Sequence, residues 1–113
     1  MPEQGEVYDY DFGPQRDSRQ EGPRPAVIVQ TDLLNQVAGY GLTILVPVST
    51  KGRNSPSHVR LEPSVENGLA AVSYAKCEQI FTVPIGGLSS RRGRLSRDQI
   101  FAVKQALRAV LAL

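Results

Sequence analysis

"LTILVPVST", residues 42–50, is a nearly continuous apolar run that predicts a central β-strand. Within it, Pro47 has no backbone N–H to donate to a neighbouring strand, which indicates a bulge or a sheet edge. A second run, "AVIVQ" at 26–30, is also apolar and β-branched and predicts another central strand. These two runs place a β-rich core at the centre of the fold.

Alternating segments predict half-buried strands around this core. "EVYDYDFG" (6–13) sets aromatic and acidic residues on opposite faces, and "HVRLE" points Val59 and Leu61 inward and His58 outward to solvent. The segment 69–84 predicts one long bent strand or two short ones. Loops are expected at 13–23, 51–57 and 85–94, the last with a brief helical turn.

The C-terminal segment 96–113 predicts the one long helix. Ser96 and Gln99 form a capping box at its start, and one apolar stripe runs along it. The stripe comprises Ile100, Val103, Leu107, Val110 and Leu111. Several short strands and one terminal helix predict a mainly β fold, a small twisted barrel with the helix against it, in a single domain spanning 1–113.

The composition is that of a globular protein, with 41% hydrophobic and 21% charged residues. There is no apolar run long enough to cross a bilayer and no signal peptide, so a cytoplasmic protein without a membrane partner is expected. A single cysteine, Cys77, excludes an internal disulfide. One histidine and one cysteine do not make a zinc site, so we expect neither a metal nor a cofactor.

The net charge of +2 is unevenly distributed. Residues 1–50 carry three basic and seven acidic side chains, whereas residues 51–113 carry ten basic and four acidic ones. This asymmetry is compatible with a polyanionic partner.

The order and spacing of several segments resemble the MazF/PemK toxin endoribonucleases over essentially the whole chain. The matching segments are "GEVYDYDFGP", "GPRPAVIVQTD", "ILVPVST", "SPSHVRLEP", "AKCEQIFTV" and the closing "GRLSRDQIFAVKQALRAVLAL". The resemblance implies a partly open, SH3-like β-barrel that pairs as a homodimer. It also implies sequence-specific, metal-independent cleavage of single-stranded RNA, and a cognate antitoxin that blocks the RNA groove.

Arg24 is the first candidate catalytic residue. Cleavage by the RNA 2′-hydroxyl needs stabilisation of the negative charge that builds on the phosphoryl oxygens. A guanidinium offers a fork of donors and stays charged near neutrality. Pro23 and Pro25 restrict the backbone on both sides of Arg24, so the hypothesis is that they aim a phosphate clamp.

Thr50, at the end of "VPVST", is the second candidate catalytic residue. In the family the matching threonine is paired with the arginine, and its hydroxyl would hold the scissile phosphate with help from Ser49. Taken without the family, a Ser-Thr pair at a strand end is better explained as satisfying the backbone of its own turn.

Further candidate RNA contacts are His58, Glu78, Gln79, Glu21 and Arg53. His58 is a candidate proton carrier or a plain surface histidine. The family has a glutamate where this chain has Arg19, which leaves Glu21 as the nearest acid. It also commonly has an arginine where this chain has Phe81, which either stacks on RNA or points into the core.

The other basic residues of the predicted loops could follow the RNA backbone or could equally be solvated charge, and the sequence leaves both interpretations open. They are Lys51, Arg91, Arg92 and Arg94. Cys77 is interpreted as a small buried hydrophobe rather than a nucleophile.

Two other classes of function fit the sequence less well than RNA cleavage does. A CcdB-like gyrase poison on the same fold depends on a C-terminal tryptophan, and this chain contains no tryptophan. An SH3-like adaptor needs an aromatic groove, and the aromatic residues here are few and widely spaced.

Overall fold

The computed structural model describes residues 1–113, whose seven strands form one curled antiparallel sheet. The strands are β1 (Glu6–Asp11), β2 (Pro23–Ile28), β3 (Leu42–Ser49), β4 (His58–Leu61), β5 (Ser73–Lys76), β6 (Phe81–Pro84) and β7 (Arg91–Arg94). The helices are α1 (Asp32–Asn35) and α2 (Arg97–Leu111), with a 3₁₀ turn at Ile85–Gly87. The strand order is β4-β5-β3-β2-β1-β7, and β6 also pairs with β3.

Strand β3 is the centre of the sheet, as its apolar sequence predicts. On one side it pairs with β2, from Leu45 to Pro47. On the other side its first half pairs with β6, and its last two residues pair with β5. On this side Val46 and Pro47 pair with neither β6 nor β5, because the two strands diverge there. The N–H that Pro47 lacks therefore costs the sheet no hydrogen bond.

Both faces of β2 and β3 are covered, which explains their continuous apolar runs. Val27 and Val46 belong to a larger cluster that includes buried residues of α2, whereas Ala26, Ile28 and Leu45 belong to a smaller one. The smaller cluster packs against aromatic side chains of β1 and β6. Alternate residues of one strand therefore contribute to separate apolar clusters.

Helix α2 begins with the predicted capping box, in which the Ser96 side chain and the Gln99 side chain bond each other's backbone N–H. The helix packs on the barrel as far as residue 107, through buried Val103 and Ala106 and partly buried Ile100 and Leu107. The predicted apolar stripe is confirmed only this far, since its last two members are exposed: Val110 is 36% and Leu111 52% exposed. No helix has the length and hydrophobicity needed to span a bilayer.

The predicted fold class, a mainly β, partly open barrel with one C-terminal helix, is confirmed. Three predictions of detail are corrected or resolved. Strand β2 begins at Pro23 rather than residue 26, so Arg24 lies inside a strand. The segment 85–94 is not all loop, because β7 forms at its end by pairing with β1. The segment 69–84 holds two strands, β5 and β6.

Candidate active site

An open cleft of about 330 Å³ lies where β2 begins and β3 ends. The antiparallel pairing of Ala26 with Pro47 brings these two strand ends together. The cleft is lined by Pro23, Arg24, Pro25, Val48, Ser49, Thr50, Lys51, Leu69, Ala70, Ala71, Ser73 and Arg92. This lining includes basic side chains but no carboxylate, so the cleft favours an anionic ligand.

The two prolines explain why the strands part here. Pairing between β2 and β3 stops at Ala26, although both strands continue beyond that point. Neither Pro23 nor Pro25 has a backbone N–H, so the ladder cannot extend along this part of β2. Residues 23–25 pair only with β1 and residues 48–49 only with β5, and these two strand ends form two walls of the cleft.

Arg24 offers its guanidinium to the cleft with little competition from the protein. Its backbone is fixed by pairing with Tyr10 of β1. Its only side-chain hydrogen bond runs from Nη1 to the Pro23 carbonyl oxygen at 3.0 Å, and it forms no ion pair. An exposed arginine without a carboxylate partner retains its charge and most of its donors for a bound anion.

Ser49 and Thr50 bring two hydroxyl groups to the same cleft. Ser49 is 8% exposed, and its Oγ accepts a hydrogen bond from the Lys51 N–H at 3.1 Å, which leaves the hydroxyl proton free to donate. Thr50 is exposed, and no hydrogen bond within the chain occupies its hydroxyl. The cleft therefore combines cationic side chains, Arg24 among them, with hydroxyl donors, as the phosphate-clamp hypothesis requires.

His58 is less exposed than its outward position on a strand predicts. Its Nε2 lies 3.0 Å from Glu78 Oε2, and its Nδ1 accepts a hydrogen bond from the Arg53 N–H at 3.2 Å. Only 9% of the side chain is exposed, because the loop before β4 and the turn after β5 cover the ring. The expectation of a solvent-facing histidine is therefore wrong, and neither His58 nor Glu78 lines the cleft.

The surroundings of the Glu78 carboxyl favour its charged form. Partial burial raises the pKa of Glu78, but hydrogen bonds from its own backbone N–H and from His58 outweigh burial and leave the pKa below its usual value. A carboxylate held in this way is a hydrogen-bond acceptor rather than a proton donor near neutral pH. The contribution of this pair to stability is present at neutral pH and is lost as the pH falls through the lowered pKa.

Gln79 binds the protein's own loop instead of standing free for RNA. Its Oε1 accepts a hydrogen bond from the Gln20 N–H at 2.6 Å, and its Nε2 donates to the Ser18 carbonyl oxygen at 3.3 Å. Lys76 Nζ adds a hydrogen bond to Gln20 Oε1 at 3.3 Å. These contacts fasten the loop between β1 and β2 to the turn between β5 and β6, which uses the amide that we expected to contact substrate.

Of the two alternatives for Phe81, stacking on RNA or packing in the core, the structure supports packing in the core. Its ring lies 4.9 Å from that of Phe12 in an edge-to-face arrangement, and it packs against the smaller apolar cluster.

Glu21 and Arg53 lie outside the cleft. Glu21 accepts a hydrogen bond from the Gln15 N–H at 2.9 Å and shares a second, more open depression with Arg24 and Asp11.

Cys77 is buried, and burial, aided by the nearby Glu78 charge, raises the pKa of its thiol to about 12. A thiol in this environment is not a nucleophile near neutral pH, in agreement with its interpretation as a core residue.

Lys51 and Arg92 both line the cleft, although the sequence analysis did not separate them from the other basic residues of the loops. Lys51 follows Thr50 directly, and this adjacency was the available signal. Arg92 had none, because its segment contains no apolar residue and only the pairing of β7 with β1 brings it to the site.

A curled half-barrel of β-strands with one C-terminal helix is the architecture of the MazF toxins. A solved structure described as an endoribonuclease in complex with its cognate antitoxin, from a mycobacterial species, superposes with a TM-score of 0.83. The two chains are 25% identical, and the match covers 100% of this chain and 97% of the other. MazF from Deinococcus radiodurans shares the fold with a TM-score of 0.80 at 22% identity, over 99% of this chain and 97% of the other.

Sequence comparison identifies the family. Residues 3–111 match the model of the PemK-like, MazF-like toxin of type II toxin–antitoxin systems. The chain is 34% identical to endoribonuclease MazF of Staphylococcus epidermidis, over 100% of this chain and 93% of that one. It is 32% identical to the probable endoribonuclease MazF of Mycolicibacterium smegmatis, over 80% and 82% of the two chains. The chain therefore belongs to the PemK-like, MazF-like toxin family.

Proposed function

We propose that this toxin is an endoribonuclease that cuts single-stranded RNA, including messenger RNA in the cytoplasm, at short sequence signals and without a metal ion. The observation that carries the proposal is the cleft in which an Arg24 without an ion-pair partner lies with the free hydroxyl of Thr50. The names of the relatives, endoribonucleases with 32–34% identity, support the same reaction.

The proposed reaction uses the substrate's own 2′-hydroxyl as nucleophile. The 2′-oxygen attacks phosphorus, the bond from phosphorus to the 5′-oxygen breaks, and the products are a 2′,3′-cyclic phosphate and a 5′-hydroxyl end. The 2′-hydroxyl loses its proton and the leaving 5′-oxygen gains one. Arg24 stabilises the added charge on the phosphoryl oxygens, and the Thr50 hydroxyl, with Ser49, holds the phosphate in line for the attack.

Incubation of the purified protein with a long RNA transcript in EDTA tests the proposal. We expect cleavage at a small set of sites, and mapping of the 5′ ends would give the recognition sequence. We also expect 5′-hydroxyl products and no cleavage at a site where the 2′-hydroxyl is replaced by hydrogen. Absence of cleavage, with or without added Mg²⁺, would reject RNA cleavage, whereas cleavage that requires Mg²⁺ would reject only metal independence.

We also propose that a cognate antitoxin covers the cleft in the inhibited complex. The basic, carboxylate-free lining suits an acidic segment of such a protein. A mycobacterial relative has been solved with its cognate antitoxin, which supports the same kind of partner here.

A homodimer is the proposed functional assembly. Its support is a group of exposed apolar side chains on α1, the segment after it and the start of β3, a type of surface that marks interfaces. They are Leu33, Leu34, Val37, Tyr40 and Leu42. We expect sedimentation at micromolar concentration to give a dimer. Leu33→Asp should shift it toward monomer, whereas Val65→Asp, at another highly exposed site away from this group, should not. A wild-type protein that sediments only as a monomer would contradict the proposal.

A further inference from the structure

Arg92 reaches the cleft from a different part of the sheet than Arg24. It lies on β7, and β1 separates that strand from β2. Its side chain nevertheless lines the cleft together with Arg24 and Thr50. The neighbouring arginines of β7, Arg91 and Arg94, are ion-paired with glutamates at the chain start and do not line it. Of the three arginines on β7, only Arg92 therefore lines the cleft.

Two hydrogen bonds hold the Arg92 guanidinium in place. Its Nε donates to Asp9 Oδ1 at 2.6 Å, and its Nη1 donates to the Gly68 carbonyl oxygen at 3.1 Å. No hydrogen bond within the chain uses Nη2, and 33% of the side chain is exposed. Because a guanidinium carries donors on all its nitrogens, Arg92 is a fixed group with unused donors beside the cleft.

We propose that Arg92 binds a second phosphate of the RNA, next to the scissile phosphate on Arg24, and that Asp9 is the positioning residue for it. This inference rests on the proposed function. A volume of about 330 Å³ equals that of roughly ten water molecules at ~30 Å³ each, which is more than one phosphate group needs. A single strand of RNA places a phosphate at every nucleotide, so Arg24 and Arg92, held on different strands of one cleft, match two phosphates.

Asp9 determines what kind of contribution Arg92 makes. Its carboxylate offsets much of the arginine charge, so long-range attraction from Arg92 is small. The contribution instead comes from directed N–H donors held at a fixed place, which lowers the ordering cost of binding. The effect should therefore appear in substrate binding rather than in the chemical step.

The test measures binding and turnover separately. Binding of a mixed-sequence 12-nucleotide single-stranded DNA, which lacks the 2′-hydroxyl and is not cut, is titrated at several salt concentrations. For Arg92→Ala we expect the slope of log K against log salt to become shallower by at most about 0.7, the value for one full phosphate contact, because Asp9 offsets part of the Arg92 charge. On an RNA transcript, kcat/KM should fall about tenfold through KM, with kcat within about threefold of wild type.

Matched variants separate this role from a structural one. Arg60→Ala removes an ion-paired arginine of β4 that does not line the cleft, and it should leave the slope and kcat/KM unchanged. Asp9→Ala should weaken DNA binding by releasing the guanidinium, although it removes a negative charge. Arg92→Gln keeps a hydrogen-bonding side chain at the position and should reproduce the loss of slope if Arg92→Ala does not fold.

The outcomes distinguish failure of this inference from failure of the proposed function. If wild type cleaves RNA but Arg92→Ala, or Arg92→Gln where alanine does not fold, keeps the wild-type slope and KM, the second phosphate site is overturned alone. The same holds if Arg60→Ala produces an equal loss. If wild type does not cleave RNA, the proposed function fails and this inference fails with it.

Discussion

Arg24→Ala is expected to lower the rate of RNA cleavage by about 10²–10³-fold, the usual cost of removing one donor that stabilises transition-state charge. The loss should appear in kcat, since the guanidinium is proposed to neutralise charge that develops only as the 2′-oxygen attacks. Single-turnover cleavage of an RNA transcript is the appropriate measurement.

The Arg24 side chain can be removed with little effect on folding. It is exposed, forms no ion pair, and makes one hydrogen bond, to the adjacent Pro23 carbonyl oxygen. We therefore expect the melting temperature of Arg24→Ala to stay within a few degrees of wild type.

Two further variants sharpen this test. Arg24→Lys keeps the charge but loses the fork of donors, so its rate should lie between those of wild type and alanine. Arg108→Ala removes an exposed arginine near the end of α2 and should cleave at the wild-type rate. Undiminished cleavage by Arg24→Ala would remove the central assignment of this site.

Gly93→Ala is expected to cost about 1–3 kcal/mol of unfolding free energy, the range for overpacking a filled site. A Cβ on Gly93 would lie 2.1 Å from the Glu66 carbonyl oxygen and 2.9 Å from the Asn67 carbonyl carbon. These are backbone atoms, so the strain cannot be relieved by turning a side chain. Strand β7 or the 66–68 turn must move, which also strains the 2.7 Å hydrogen bond from the Arg94 N–H to the Glu66 carbonyl oxygen.

Gly86→Ala is the matched control for this prediction. Gly86 lies in the 3₁₀ turn after β6, and a Cβ there meets no atom within 4 Å. Its replacement should change stability little, or raise it slightly by restricting the unfolded chain. Urea unfolding of both variants is the measurement, and equal midpoints would contradict the close approach of β7 to the turn.

Local sequence was sufficient for the elements whose stability is local or follows a clear pattern. The apolar runs predicted β2 and β3, and the capping box predicted the start of α2. Because β2 and β3 are antiparallel neighbours, the same runs also brought Arg24 and Thr50 to one cleft.

Features that depend on contacts between distant residues were not predictable in this way. The sequence "RRGR" has no apolar residue, and it becomes β7 because β1 pairs with it and Gly93 allows the 66–68 turn to approach. His58 alternates outward on its strand, yet Glu78, twenty residues further on, covers it. The Gln79 side chain forms a hydrogen bond with a loop almost sixty residues earlier in the chain.

The interruption of the ladder between β2 and β3 has a consequence for substrate entry. Because proline nitrogens cannot donate, the gap beside residues 23–25 is built into the covalent chain and is open before any ligand arrives. The site is thus preorganised, because the proposed RNA substrate would not have to separate two hydrogen-bonded strands. Its binding free energy would then remain available for holding the phosphate in line.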